Sequence, residues 1–122
     1  MMWIIVIIIL GLIVYGFSRV GRSRITMEEI REGLATGGQL IDVRTPAEFK
    51  TRHAKGAKNV SLQSLQSGSS IGGDKQKPVF VYCHSGARAR MAVMVLKQQG
   101  YQAVKTIGGL STWERLGGDT TQ

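Results

Sequence analysis

The chain has 122 residues, of which 43% are apolar, a length and composition that fit one domain and exclude two full domains. It carries 16 Lys and Arg against 8 Asp and Glu, and this moderate charge with ample aliphatic content excludes a chain that is disordered throughout. Cys83 is the one cysteine of the sequence, so the chain can form neither an internal disulfide nor a multi-cysteine zinc site.

Residues 1–18 contain no charged side chain and consist mostly of Ile, Val and Leu. As a helix they would reach roughly 27 Å, which is adequate for a membrane hydrocarbon core of about 30 Å. We therefore predict a transmembrane anchor at residues 1–18. A cleaved signal peptide is the alternative, although the Lys or Arg that usually precedes its apolar region is missing.

Arg19, Arg22 and Arg24 follow this stretch within a basic juxtamembrane linker at residues 19–25. By the positive-inside rule they predict a single-pass membrane protein with its N-terminus outside and residues 26–122 in the cytoplasm. That compartment is reducing, which keeps a lone cysteine as a thiol. The arginines could also contact anionic lipid headgroups, or they could serve only to stop transfer.

Strands and helices alternate along the first half of the remaining chain. Thr26–Glu29 and Thr45–Glu48 both have the residue types of a capping box, which marks a helix start. The predicted elements, in chain order, are a helix from Met27 to about Ala35, a strand at Gln39–Val43, a helix from Pro46, a strand at Ala57–Leu62 leading into a turn or short helix, and a surface loop at Gln66–Lys77.

The second half begins with Val79–Tyr82, an apolar run typical of a strand that is buried on both faces of a parallel sheet. A helix should follow, since its apolar residues recur at helical spacing: Ala89, Ala92, Val93 and Leu96. A final strand near Ala103–Ile107 and a last helix through Trp113, a predicted core residue, complete the pattern. The alternation predicts an α/β layer fold with a mainly parallel sheet and right-handed crossovers.

Cys83 lies where the most hydrophobic strand ends and a helix starts, the place where active sites of parallel sheets gather. Backbone N–H groups of residues 85–89 could curl around the sulfur and, with the helix dipole, stabilise a thiolate. Gly86 would let the backbone bend where a Cβ would clash, and Arg88 would add a cation for an anionic substrate. The alternative is a buried, inert cysteine.

Two reactions of a cysteine thiolate fit such a loop, phosphoryl transfer and sulfur transfer. Cysteine phosphatases resemble Cys-x5-Arg, which would need arginine at position 89, whereas Ala89 stands there between Arg88 and Arg90. A small ring of amides also suits one extra sulfur atom better than a tetrahedral phosphate, which needs more donors. The spacing therefore favours sulfur transfer.

Four ordered motifs resemble the rhodanese-like sulfurtransferases and cover nearly all of residues 26–117. They are Leu40–Phe49, His53–Ala57 with Asn59–Val60, Val81–Ala89, and Gly108–Leu110 with Trp113. The resemblance implies an α/β rhodanese-like three-layer fold for residues 26–122, with a mainly parallel central sheet flanked by helices. It also implies a thiosulfate sulfurtransferase in which a Cys83 persulfide takes sulfur from thiosulfate or a persulfide donor and passes it to cyanide, a thiol or a protein. Neither a metal nor an organic cofactor is needed for this reaction.

The resemblance makes Cys83 the catalytic residue and assigns substrate binding to the loop residues His84, Ser85, Gly86, Ala87, Arg88 and Ala89. Asp42 and Arg44 could orient this loop, but a structural ion pair or a cap is an equal interpretation. His53 is interpreted as a packed, hydrogen-bonded histidine rather than a base. The sequence departs from the family at Arg52, Lys55 and Ala89, often Gly, Pro and Ser respectively, so one hydroxyl hydrogen bond to the sulfur is missing.

A second hypothesis is a membrane-tethered interaction or persulfide-sensing module without significant turnover. Ala89 argues mildly for it, and the intact loop argues against it. As an enzyme, the protein must pass its sulfur to an outside acceptor, because no second cysteine can resolve the persulfide. The expected partners are a small anionic sulfur donor, an unknown thiol or protein acceptor, and the membrane through residues 1–18. Few aromatic residues interleave with the basic ones, so no nucleic-acid partner is expected.

Overall fold

A computed structural model describes residues 1–20 and 24–122 of the chain, with side chains for residues 1–13 and 24–122. The helices within these residues are α1 (Met2–Val20), α2 (Met27–Ala35), α3 (Pro46–Thr51), α4 (Leu62–Gln66), α5 (Ala87–Gln98) and α6 (Leu110–Arg115). The strands are β1 (Gln39–Asp42), β2 (His53–Ala54), β3 (Lys58–Asn59), β4 (Val79–Cys83), β5 (Val104–Gly109) and β6 (Thr120–Thr121).

In the part of the chain whose side chains are described, no helix has the length and apolar character needed to cross a membrane. Helix α1 exposes large apolar side chains along residues 1–13. The predicted span at residues 1–18 and the basic linker at residues 19–25 both extend into residues whose side chains lie outside the described part. The anchor and the linker therefore stay predictions.

Four strands form one parallel sheet in the order β3-β1-β4-β5, which confirms the predicted α/β fold with a parallel sheet. The pair of β1 with β4 aligns Gln39 with Val79 and Asp42 with Tyr82. The pair of β4 with β5 shifts its register between Val81 and Tyr82. All five residues of β4 are buried, as expected of the apolar run that predicted this strand.

The strand order creates a topological switch point between β1 and β4. The chain passes from β1 to one edge of the sheet at β3, whereas it passes from β4 to the other edge at β5. In open α/β sheets, ligands bind outside the carboxyl ends of the strands at such a point. Asp42 and Cys83 end these two strands, so the fold alone places the cysteine at a preferred binding position.

Apolar residues pack on both faces of the sheet and form two clusters. Because side chains alternate along a strand, Val79 and Val81 face one cluster, while Phe80 and Tyr82 face the other. The first cluster includes buried residues of α4 and α5, and the second includes buried residues of α2 and α6. Helices thus cover both faces, giving three layers. Trp113 is buried in the second cluster, which confirms its predicted place in the core.

Most predicted elements are found close to their expected boundaries. Helix α2 has the predicted bounds, and the Thr26 side chain accepts the Glu29 N–H. Helix α3 has a complete capping box. The Thr45 side chain accepts the Glu48 N–H, and the Glu48 side chain accepts the Thr45 N–H. Residues 67–78 form neither helix nor strand, which fits the predicted loop, although Ile71 within it is buried.

One small sheet has no counterpart among the predicted elements. Strand β2 pairs antiparallel with β6, with His53 opposite Thr121 and Ala54 opposite Thr120. Both strands have two residues, which is too short for a periodic pattern to show in the sequence. This pair of strands holds the C-terminal end of the described residues beside α3.

Candidate active site

Cys83 is the last residue of β4, and its side chain is fully buried. The turn His84–Gly86 follows it directly, and α5 begins at Ala87. The Gly86 N–H group donates a hydrogen bond to the Cys83 Sγ atom over 2.9 Å. The sulfur therefore lies beneath the turn, close to the N-terminal end of a 12-residue helix.

The backbone conformation of Gly86 makes this contact possible. Its φ angle is +101°, in the left-handed region that only glycine adopts without strain. A Cβ atom at this position would meet its nearest atoms, on Arg90 and Gly108, at 3.6 Å, which is an ordinary contact distance. The glycine is thus required by its backbone angle, and the steric clash predicted at this position is not the reason.

The predicted loop residues differ in how they face the site. His84, Ser85 and Ala87 have exposed side chains, whereas Gly86 and Ala89 are buried. Among the described residues, Gly86 supplies the N–H group that bonds the sulfur. Of the predicted ring of amides around the sulfur, the described residues therefore supply one direct hydrogen bond, at the start of α5.

A pair of glycines at the end of β5 brings that strand against the active-site turn. Gly109 lies opposite Cys83 in the sheet, and the Gly108 N–H group bonds the Thr106 hydroxyl beside the register shift. A Cβ atom on Gly109 would lie 2.2 Å from the His84 carbonyl oxygen, a backbone atom. Only glycine at position 109 therefore permits the observed position of the turn.

We expect Gly109→Ala to displace the turn and to reduce both the stability of the protein and its turnover. Overpacking of this kind usually costs about 1–3 kcal/mol in the free energy of unfolding. The measurement is thermal unfolding together with turnover of the variant. Gly56→Ala is a suitable control, because position 56 has open space around its Cβ, although its φ of +88° will itself add some strain. Equal losses of turnover in both variants would contradict the specific role of Gly109.

A cleft of about 630 Å³ opens beside the turn. It lies at the carboxyl ends of the strands, where the switch point predicts ligand binding. It is lined by Arg44, Glu48, Thr51, Arg52, His84, Ser85, Leu110 and Ser111. The volume is within the usual range for small-molecule sites, so the cleft can admit a small ligand to the turn above Cys83.

Arg88, the predicted cation of the loop, is paired with Glu48 of α3. Its two Nη atoms donate to the two carboxylate oxygens over 2.7 and 3.0 Å, a bidentate arrangement. The hydrogen bond from Arg88, opposed by partial burial and assisted by bonds from Thr45, lowers the pKa of Glu48 to about 2. In turn, Glu48 raises the pKa of Arg88. At neutral pH, the loop arginine is thus neutralised by a carboxylate.

Glu48 is a site residue that the sequence patterns do not reveal. The sequence explains it fully as the third helical residue of the α3 capping box. It is 40 residues from Arg88, and only the pairing of β1 with β4 brings α3 next to the start of α5. Two signals could have suggested it: its place within the Leu40–Phe49 motif, and its position shortly after the carboxyl end of β1.

Asp42 and Arg44 form the buried ion pair that was one of their two interpretations. The Asp42 carboxylate accepts from the Arg44 backbone N–H and from its Nε and Nη2 groups, over 2.8 to 3.1 Å. Asp42 is fully buried and Arg44 is 5% exposed. The Arg44 guanidinium also donates to the Arg52 carbonyl oxygen. The pair therefore stiffens the turn after β1 that forms one side of the cleft.

Tyr82 extends this ion pair into the sheet. Its hydroxyl donates to Asp42 Oδ2 over 2.6 Å and accepts the Ala54 N–H over 2.9 Å. Burial, together with the bond to Asp42, raises the pKa of Tyr82. Because Tyr82 directly precedes Cys83, this network fixes the end of β4 from which the cysteine projects. Its role is another feature that the sequence does not indicate.

His53 is packed and hydrogen-bonded, as interpreted from the sequence. Its ring stacks on Phe49 with centroids 3.6 Å apart, and Nδ1 lies 2.8 Å from the Phe49 carbonyl oxygen. Within the described ranges, no three His, Cys, Asp or Glu side chains converge as metal ligands would.

Comparison with known proteins identifies the family. The model of the rhodanese-like domain matches residues 26–116. The uncharacterized protein YqhL of Bacillus subtilis is 38% identical over 117 residues, covering 90% of each chain. The thiosulfate sulfurtransferase GlpE of Coxiella burnetii is 36% identical over 76 residues, covering 62% of this chain and 70% of GlpE. The solved structure "rhodanese with anions" from E. coli superposes with a TM-score of 0.60 at 29% identity, covering 70% of this chain and 98% of that one. The chain therefore belongs to the rhodanese-like domain family.

Proposed function

We propose that this protein is a sulfurtransferase that carries a sulfane sulfur on Cys83. The observation that carries the proposal is the buried Sγ atom at the end of β4, bonded by the Gly86 N–H at the start of α5. An N–H donor and a helix N-terminus both stabilise negative charge. This environment suits a sulfur anion, which is the form in which the site would both attack a donor and hold the transferred sulfur.

The reaction has two half-steps, as in other covalent mechanisms. The Cys83 thiolate attacks the outer sulfur of the donor, and for thiosulfate the bond from that sulfur to the sulfonate sulfur breaks. Sulfite leaves with the bonding electron pair, and Cys83 becomes a persulfide anion. An acceptor nucleophile, such as cyanide or a thiolate, then attacks the outer sulfur, takes it, and restores the Cys83 thiolate. Charge and atoms balance in each half-step.

The cleft beside the turn supports this cycle, because it can bring a small partner to the turn that covers the sulfur. His84 and Ser85 are exposed and line the cleft. Of the other predicted loop residues, Gly86 is the N-cap of α5, and Ala87, Arg88 and Ala89 form its first turn. We propose thiosulfate or a persulfide as the donor; that a relative with 36% identity is named a thiosulfate sulfurtransferase supports thiosulfate. The acceptor is proposed to be a thiol, cyanide or a protein.

A binding or persulfide-sensing module is the second candidate, and one observation favours it. The pairing of Arg88 with Glu48 removes the free cation that an anionic donor would use. Under this alternative, the loop would bind a partner or take up sulfur without useful turnover.

We propose further that residues 1–18 tether the protein to a membrane, with the N-terminus outside and residues 26–122 in the cytoplasm. The support is in the sequence: no charged side chain occurs in residues 1–18, and arginines follow at positions 19, 22 and 24. Alkali-resistant association with membranes, lost on deletion of residues 1–18, is the expected result. Release of the full chain by alkali would contradict the tether.

Sulfur loading of Cys83 tests the proposed function. The full chain is purified in detergent and incubated with thiosulfate, and its intact mass is recorded before and after adding cyanide. We expect a gain of one sulfur atom, and we expect cyanide to remove it with release of an equal amount of thiocyanate. Failure to gain sulfur from both thiosulfate and a small persulfide donor, with Cys83 still open to alkylation, would contradict the enzyme and favour the binding module.

A further inference from the structure

The guanidinium of Arg88 is the cation nearest in sequence to the turn above Cys83, yet the carboxylate of Glu48 already balances its charge. Both carboxylate oxygens of Glu48, which lines the cleft, accept from it, and the two side chains are each about one-third exposed, 35% for Arg88 and 34% for Glu48. Arg88, the predicted cation of the loop, is therefore part of a neutral pair, and the two arginines that line the cleft, Arg44 and Arg52, are likewise paired, with Asp42 and Glu114.

The pair is built into the fold by the start of α3. The Thr45 backbone N–H and hydroxyl both donate to Glu48 Oε1, while the Thr45 hydroxyl accepts the Glu48 N–H. These bonds, with Pro46 at the first helical position, hold the carboxylate in one orientation toward α5. Because its pKa is about 2, Glu48 stays ionised over the whole range in which the enzyme would be assayed.

We propose that Glu48 is a specificity-determining residue, which neutralises Arg88 and so weakens binding of small dianionic donors relative to thiol persulfides. The proposal rests on the proposed function and concerns the donor of the same reaction. A dianion such as thiosulfate gains most from a free guanidinium. A thiol persulfide carries at most one charge at its reacting sulfur, so it loses less when that guanidinium is paired.

Three variants test the proposal by the direction of their effects on KM for thiosulfate. Glu48→Gln frees Arg88 and keeps the capping box, since Gln serves at that position as well as Glu. We expect its KM to fall by about tenfold at low salt, with kcat changed less than about twofold. Arg88→Gln leaves an unpaired carboxylate, so its KM should rise by a similar factor. The double variant restores a neutral pair and should return close to the wild-type KM.

Glu29→Gln is the matched control. Glu29 is also the third helical residue after a capping threonine, and it also pairs with a cation, Lys105, away from the cleft. The change in net charge is the same as in Glu48→Gln, and KM should stay within about twofold of wild type. The difference in KM between the Glu48→Gln variant and the wild type should also shrink at about 1 M salt, where the screening length is about 3 Å.

A second measurement does not depend on turnover. Sulfate is an unreactive dianion, and the sulfate concentration that halves the rate of Cys83 alkylation by iodoacetamide reports its binding at the site. We expect this concentration to fall in Glu48→Gln and to rise in Arg88→Gln. The same shift in a protein without turnover would show that Glu48 weakens dianion binding at this site, while the proposed sulfurtransferase activity and the donor preference built on it fail.

A purely structural ion pair predicts that both single variants lose kcat and that neither gains affinity for dianions, and this result would overturn the proposal. So would sulfur loading of wild-type Cys83 combined with an unchanged KM and unchanged sulfate protection in Glu48→Gln. In that case the sulfurtransferase activity would stand and the specificity role of Glu48 would not.

Discussion

Replacing Cys83 with Ser is expected to reduce thiosulfate-dependent turnover to the background rate while the protein stays folded. A serine hydroxyl is not ionised at neutral pH and cannot hold a transferred sulfur as a persulfide. Its oxygen can still accept the Gly86 N–H that now bonds the sulfur. The measurement is thiocyanate formation from thiosulfate and cyanide, with thermal unfolding of the same sample as the check on folding.

Cys83→Ala separates loss of chemistry from loss of structure. It removes the nucleophile as Ser does, but it also leaves the buried Gly86 N–H without its acceptor, which costs about 1–3 kcal/mol in unfolding free energy. We therefore expect both variants to be inactive and the Ala variant to be less stable. Turnover of the Ser variant at the wild-type rate would exclude Cys83 as the sulfur carrier.

Asp42→Asn is expected to give the largest loss of stability. The Asp42 carboxylate is fully buried and balances the guanidinium of Arg44, which is only 5% exposed. Removing one partner of a buried pair leaves an uncompensated charge and costs about 3–5 kcal/mol. For a domain of this size, the corresponding fall in the unfolding temperature is roughly 15–30 °C. Thermal and urea unfolding measure the loss directly.

Glu114→Gln is the control for this substitution, because it breaks an ion pair with Arg52 in which the side chains are 37% and 51% exposed. Exposed pairs usually contribute about 0–1 kcal/mol, so this variant should unfold close to the wild-type temperature. Similar losses of unfolding free energy in the Asp42→Asn and Glu114→Gln variants would show that the buried Asp42–Arg44 pair contributes no more to stability than an exposed pair.

The centre of the fold could be predicted from the sequence because its signals are local. The apolar run at Val79–Tyr82 needs burial on both faces, and Cys83 and Gly86 follow it within four residues. The strand, the turn and the start of the helix can therefore be predicted from one short segment. The helical spacing of Ala89, Ala92 and Leu96 likewise predicts the face of α5 that is buried. Patterns of this kind depend only on neighbours in the sequence.

The surroundings of the cysteine could not be predicted because they join distant parts of the chain. Glu48 and Arg88 meet across 40 residues, and Tyr82 bonds Asp42 over the same separation. In the sequence, Glu48 is fully explained by a helix cap and Tyr82 by an apolar strand. Their second roles arise only when β1 and β4 lie side by side. The net charge at the site therefore cannot be predicted from the sequence of the loop alone.

The small sheet of β2 and β6 has a consequence for where the domain ends. The family match stops at residue 116, yet the Trp113 indole donates to the Asp119 carbonyl oxygen, and Thr120 pairs with Ala54. Ala54 in turn donates to Tyr82, next to the cysteine. A fragment cut at the limit of the family match would therefore lack its closing strand. The structural boundary of this domain therefore lies beyond the end of the family match, at Thr121 or later.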